Sequence, residues 1–505
     1  MTVYNINLGI GWASSGVEYA QAYRAQVLRR LKIPAKFIFM DFFQSENLQH
    51  LTANIGFRDE EIIWLYGFFT DMVVAPTTYT REQLEASFSL PIRKIETGNK
   101  LVRYYFEGQD LYVNAAVCGK EGRCVQRVEY VANGQLMRKD YYSYSKVFSE
   151  YYVPKDGKPT LSHRFFFNED GSVAYTEQIR GESSIFTFQD RICFSKSDLI
   201  AYLLEGLGLS SQDVILLDRA TGVGQAVLQH RGAAKLAVVV HAEHFNAKGT
   251  DEHHILWNNY YEYQFTNADK IDAFITSTNK QKEVLEAQFQ TYTSHRPKIY
   301  AIPVGSLDRL RYPTRARKPY SLVTGSRLAS EKHIDWLVLA VVEARQTLPD
   351  LTFDIYGEGG ERGKLTQLIE EHQAGAYIHL KGHQHLTELY QAYEVYLTAS
   401  TSEGFGLTLM EAVGSGLPLI GLDVPYGNQT FVEDGQNGYL LARHEPDDRR
   451  QMARSFAQAI CRYYQELDQA QAQSVSYQKA TDFLDERLAD TWKNFVEDMT
   501  DDYAI

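Results

Sequence analysis

Cysteine is scarce, uninterrupted apolar sequence is short, and positive charge is in deficit. The four cysteines, Cys118, Cys124, Cys193 and Cys461, show no paired zinc spacing, and without an export signal they read as reduced thiols. The longest apolar stretch, "IIWLYGFFTDMVVA", carries Asp71 and falls short of the roughly 20 apolar residues that a membrane span needs. The opening "MTVYNINLGIGW" lacks the basic segment and apolar core of a secretory signal. A net charge of -13 argues against the clustered Lys and Arg that neutralise nucleic-acid phosphates. The expectation is a cytoplasmic protein in which any anionic ligand is held by a few local groups.

What is present divides into three textures. At 505 residues the chain exceeds what one core usually supports, which predicts two or three domains. Residues 1–76 open with "VYNINL", a Gly/Ser-rich turn "GIGWASSG", a helical run and "AKFIFM", the β-loop-α-β order of a parallel sheet. The alternation returns over 192–306 with "DVILL", "LAVVV", "IDAFITS" and "KIYAIPV". Between them, over 77–191, short alternating runs such as "LVRYYFE" and "QRVEYVA" are separated by "GKEG", "ANGQ" and "PKDGKP", which predicts an inserted antiparallel meander. Its aromatic face either packs internally or receives another chain. From 307 to 505 the β/α pattern resumes, and the tail places Leu484, Leu488, Trp492, Phe495 and Met499 on one helical face. The fold class is therefore α/β: two Rossmann-like domains facing a cleft, the first interrupted by a β insert. Ligands of such sheets bind in the loops after the strands.

The chemistry concentrates in "SEGFGLTLMEAVGSG", Ser402 to Gly416. Phosphates need backbone N–H donors, and a helix amino terminus supplies them with partial positive charge. Gly404 and Gly406, flanking Phe405, allow close backbone approach. Gly406, Leu407 and Thr408 form the expected diphosphate seat. Glu411, one turn further on, suits two vicinal hydroxyls, as in a ribose, and Glu403 is left to face another part of the ligand. The competing reading is a helix start that sets acidic residues against its dipole. "TGSRLASEKH" adds Arg327 and Lys332 after the first strand of the same domain, a bidentate and a mobile cation for phosphate. Gly357 and Gly359 in "DIYGEGG" offer a weaker signal for a flat base.

Together "TGSRLASEKHIDWLVLA", "TFDIYGEGGERGKL", "TSEGFGLTLMEAVGSGLPLIGLD" and "VEDGQNGYLL" resemble the donor half of retaining nucleotide-sugar glycosyltransferases of the GT-B fold. The insert, with "GIGWASSGVEYAQAYR" and "HILWNNYYEYQF", is similar to the GtfA-type catalytic subunits that start O-glycosylation of Ser/Thr-rich bacterial adhesins. The resemblance implies UDP-N-acetylglucosamine as donor, Ser/Thr hydroxyls as acceptor, and a non-catalytic GtfB-type partner docked through the insert. Peripheral membrane association through that complex is a further implication. It assigns Arg327 and Lys332 to the diphosphate, Glu411 to the ribose, Glu403 to the sugar, Gly16 to the donor phosphate or sugar, and His241 to the reacting centre. No cofactor or metal is expected: His241 and His244, with His253 and His254 nearby, form no HExxH pattern, and no Asp-x-Asp motif stands out. His244 reads as a structural histidine, and Asp218 and Arg219 stay unassigned. A non-catalytic subunit of the same fold, another donor such as UDP-glucose, and a dinucleotide-dependent oxidoreductase are the alternatives, the last weakened by the late third glycine of "GIGWASSG".

Overall fold

The computed structural model describes residues 1–12, 15–443 and 448–501, so Ala13 and Ser14 of the Gly/Ser loop lie outside it. The chain forms two compact units, one of residues 1–18 and 33–236, the other of residues 19–32 and 237–505.

In the first unit the strand Val3–Asn7 lies between Ala35–Phe39 and Val214–Leu217, all parallel, and Ile62–Trp64 pairs beyond Ala35–Phe39. Val214–Leu217 is buried throughout, as expected of a strand covered on both faces. The same unit carries a ten-stranded antiparallel sheet from Ile92–Thr97 to Ile192–Cys193 in which spatial order follows chain order. Its hairpins are locally encoded. Asn133 and Gly134 (φ 50° and 71°) and Asp156 and Gly157 (φ 51° and 73°) supply the paired positive φ that two-residue turns require. Alternation sets the faces: in Leu101–Phe106 the residues Val102, Tyr104 and Phe106 point inward, onto Leu84 of the helix Arg81–Ala86.

A buried ionic cluster ties this sheet to the loops after the parallel strands. Arg164 donates to Glu150 and to Glu177, both at 2.9 Å, and its guanidinium lies 4.0 Å from the Phe42 ring centroid. Glu150 also accepts from Tyr141 (2.9 Å), Tyr152 (2.8 Å) and Gln44 (3.2 Å). Phe42 meets Tyr66 and Phe148 at 4.9 Å each, and the Tyr175 hydroxyl donates to the Tyr66 carbonyl at 2.6 Å.

The strand Lys235–Val240 enters the second unit at Ala237, from where it runs parallel to Ala273–Thr276, which in turn pairs with Ile299–Ala301. A six-stranded parallel sheet follows, in the order Ile378–Gly382, Thr352–Tyr356, Ser321–Gly325, Val395–Thr398, Leu419–Leu422 and Gly438–Leu441. The final helix Asp485–Asp501 buries Leu488, Trp492, Phe495 and Met499. Phe495 packs edge-on against Tyr300, and Arg24 lies over the Trp492 ring. The last helix thus returns to elements from early in the chain.

Removing one member of a buried ion cluster strands the others. Arg164→Met leaves Glu150 and Glu177 without their cation and should cost roughly 3–5 kcal/mol. The expected readout is a fall on the order of 10 °C in the melting transition of the first unit. Adding Glu150→Gln and Glu177→Gln to the same variant should restore part of that loss.

Candidate functional site

Strand order in the six-stranded sheet reverses between Ser321–Gly325 and Val395–Thr398. The loops after these two strands flank the switch point, where open α/β sheets bind ligands. Lys332 comes from one loop and Glu403 from the other. The Lys332 ammonium lies 2.8 Å from Glu403 Oε2 and 3.2 Å from Ser400 Oγ, with both charged side chains about four-fifths buried. Arg327 lies on the same loop as Lys332 but is exposed, pairing with Glu331 at 3.3 Å.

The Glu403 loop enters the helix Leu407–Gly414 through Gly406, whose φ of 88° is left-handed and whose Cβ would stand 2.7 Å from Leu409. A Cβ on Gly404 would stand under 3.0 Å from the His241 carbonyl oxygen, so this loop lies directly on the His241 backbone. The helix start leaves the first amides, at Leu407 and Thr408, without intrahelical acceptors. The Phe405 ring is turned into the core against Phe431 and Phe483. Thr408 Oγ1 accepts from the Tyr396 hydroxyl at 2.9 Å. One turn on, Glu411 faces the Tyr23 hydroxyl at 3.5 Å, and burial pushes its carboxyl up to about 7 against the opposing field of Arg311.

The His241 loop is clamped from several sides. The amides of His241 and Ala242 donate to the Tyr261 hydroxyl at 3.0 and 3.1 Å, and Gln281 donates to the Ala242 carbonyl at 2.9 Å. The Tyr426 hydroxyl donates to Glu243 at 2.6 Å, while the amides of Tyr426 and Gly427 donate to the Glu403 carbonyl at 3.1 and 2.8 Å. Tyr426 therefore joins the two loops, a connection that sequence reading missed. His244 is fully buried, bonds Gln288 at 2.7 Å, and has its pKa lowered to about 4 by burial, so it is neutral at physiological pH. Among the described residues no group of three or more His, Cys, Asp or Glu is arranged to hold a metal.

Gly357 and Gly359 have a packing role. With φ of 130° and 157°, each would drive a Cβ into the backbone of Ser326 or Leu328, so the loops after the first two strands interlock there. In the first unit Gly16 opens the helix Gly16–Arg30, and a Cβ there would meet nothing within 4 Å. Arg219 reaches Ser15 Oγ at 2.7 Å and Glu18 at 3.3 Å, and Glu18 accepts from the Ser15 amide at 2.6 Å. That network gives Arg219 a positioning role on the Gly/Ser loop.

Parallel β/α sheets with an ion pair at a switch point and a glycine-led helix start match what the resemblance to GT-B glycosyltransferases implies. Residues 94–190 match the family model described as GtfA extended beta-sheet domain, and residues 311–461 that of Glycosyl transferases group 1. A Streptococcus parasanguinis protein, "UDP-N-acetylglucosamine--peptide N-acetylglucosaminyltransferase GtfA subunit", is 62% identical, covering 99% of this chain and 100% of its own. The crystal structure of the pneumococcal O-GlcNAc transferase GtfA in complex with UDP and GlcNAc superposes with a TM-score of 0.95 at 53% identity, covering 99% of each chain. A GtfA/B complex structure gives the same TM-score and identity over 99% of this chain and 100% of that one. The chain belongs to the GtfA subunit family of peptide N-acetylglucosaminyltransferases.

The Glu411 carboxyl yields a pH test. Its folded pKa is raised, so folding disfavours the ionised form, and stability falls as pH rises from about 4.5 to about 7. Glu411→Gln should match wild-type stability near pH 4 and exceed it by up to about 3 kcal/mol at pH 8. Denaturant titrations across that range check the sign, and a variant equally destabilised at both ends would refute it.

Proposed function

We propose that this chain is a retaining glycosyltransferase that moves N-acetylglucosamine from UDP-N-acetylglucosamine to Ser/Thr hydroxyls of a serine-rich repeat adhesin, acting with a GtfB-type partner. The observation that carries the reading is the Lys332–Glu403 pair at the switch point, beside the Gly406–Thr408 helix start. In this reading Lys332, with Arg327, meets the diphosphate, whose charge grows as the bond from the sugar C1 to phosphate breaks. The helix amino terminus acts on the same charge, and preorganised stabilisation of this type is usually the largest catalytic term. Glu403 then receives sugar hydroxyls, Glu411 the ribose, and Gly16 the donor phosphate or sugar. Gly357 borders the base, and His241 faces the reacting carbon.

As the bond from the acceptor oxygen to C1 forms on the face the leaving group vacates, the hydroxyl proton passes to the departing phosphate. Configuration is retained without a protein nucleophile. The cations are the protein's own, so transfer proceeds without metal or cofactor. The family's GtfA/B complex and the match to the extended beta-sheet domain support a GtfB-type partner docked through the inserted sheet. A cytoplasmic site of action, with the complex peripheral to the membrane, completes the proposal; no described helix is long and apolar enough to cross one.

Purified protein with a Ser/Thr-rich peptide and a panel of UDP-sugars in EDTA should transfer N-acetylglucosamine, strongly only when the partner is added. UDP binding without hydrolysis or transfer would overturn the reading. Lys332→Ala should lower turnover by roughly 10²–10³-fold and weaken UDP binding far less. Unchanged turnover in both Lys332→Ala and Arg327→Ala would remove the electrostatic assignment. Tyr426→Phe frees the Glu243 loop from the Glu403 loop and should reduce turnover on the order of tenfold with UDP affinity within about twofold.

A further inference from the structure

The first unit holds a cavity of about 590 Å³, within the size range of specific ligand pockets. Its lining takes in Phe43 and Gln44, which follow Ala35–Phe39, and Gly67 and Phe68, which follow Ile62–Trp64, the side on which doubly wound sheets place ligands. Three consecutive residues of the outermost parallel strand, Ile62, Ile63 and Trp64, all line it. Neighbouring side chains on a strand point to opposite faces, so a cavity touching all three must run along the strand's edge. The lining also includes the consecutive Met72, Val73, Val74 and Ala75. The space is therefore a slot bordered by a sheet edge, and such an edge is a template for an added strand.

Two observations state what the slot accepts. Ser143 on its wall is 5% exposed, and its Oγ has no hydrogen-bond partner among the described residues. A buried hydroxyl without a partner costs about 1–3 kcal/mol, and a peptide group alongside would satisfy it. The lining also includes three carboxylates, Glu46, Asp59 and Glu60, and no Lys or Arg. Glu46 is engaged by His50 (2.8 Å) and Gln126 (2.9 Å), and Asp59 by Gln49 (3.0 Å). Glu60 is exposed, and Lys36 approaches it only at the main-chain carbonyl, at 2.6 Å.

We propose that this slot binds an extended segment of the acceptor polypeptide, away from the hydroxyl that takes the sugar. One large apolar side chain enters the cavity, and an adjacent Lys or Arg, pointing the other way, faces Glu60. The inference rests on the acceptor being a polypeptide, as proposed above, and gives that substrate a sequence requirement.

The test uses the full chain and a fluorescein-labelled octapeptide, Ser-Thr-Lys-Leu-Lys-Ser-Thr-Ser, beside one version with Ala for Leu and one with Glu for both Lys. Each replacement should weaken binding about tenfold. Glu60→Lys, a surface change, should erase the preference for the Lys peptide over the Glu peptide, and Ala75→Trp should weaken all binding. UDP-N-acetylglucosamine hydrolysis should stay at the wild-type rate in both variants. Equal binding of the three peptides, or a charge preference that Glu60→Lys leaves intact, would overturn the slot while hydrolysis by the wild-type protein left the functional reading standing. Absence of both hydrolysis and transfer by the wild-type protein with its partner added would overturn the functional reading and, with it, the acceptor as occupant.

Discussion

Two backbones must touch before the Glu403 loop can take its shape. The His241 carbonyl occupies the space where a side chain on residue 404 would begin, so only glycine lets the loops meet. The Glu403 carbonyl then accepts two amides from the Tyr426–Gly427 turn, and Gly427 in turn lies against the Phe405 carbonyl, where a Cβ would not fit. With both ends of the loop fixed, the helix Leu407–Gly414 starts in one direction only. Leu409, Met410, Ala412 and Val413 drive its inner face into the core, which sets where Glu411 stands. A contact between main-chain atoms therefore determines the positions of two carboxylates eight residues apart in the chain.

Features encoded over short distances were legible. The parallel strands announce themselves as buried apolar runs, and the meander as alternating runs cut by Asn-Gly and Asp-Gly pairs, because a hairpin needs only neighbouring residues. The Glu403 and Lys332 loops were legible for a related reason: each directly follows a strand, and topology brings strand ends together. Tyr426 was not. Nothing local in "VPYGNQ" signals that its hydroxyl meets Glu243, 183 positions away. Arg219 is the same case, meeting Glu18 across 201 positions. Such long-range polar contacts have no periodicity and leave no mark on the local sequence.

The glycines show how one motif can carry a second cause. Gly357 and Gly359 read as an open platform for a flat base, yet what forbids a side chain at each is the backbone of the neighbouring loop. Phe405 sits between Gly404 and Gly406 and directs its ring into the core. The motif is thus partly a folding device. Its glycines and its aromatic hold the loops so that the polar groups between them, Lys332 and Glu403 above all, are held together at the switch point.

Those polar groups are held at a cost. Lys332 and Glu403 are both largely removed from water, and their mutual attraction offsets desolvation only while each remains close to an opposite charge or a hydrogen-bond partner. Glu411 has a tyrosine hydroxyl at the limit of hydrogen-bond distance, and its ionised form is disfavoured by burial. A ligand that brings phosphate to the lysine and hydroxyls to the two carboxylates would satisfy all three at once. A ligand with only one of those groups would leave at least one charge poorly paired in a dry site. Burial therefore lowers the stability of the free protein near neutral pH and, through the same desolvation, favours a ligand that combines anionic and hydroxyl-bearing parts at the spacing these loops fix.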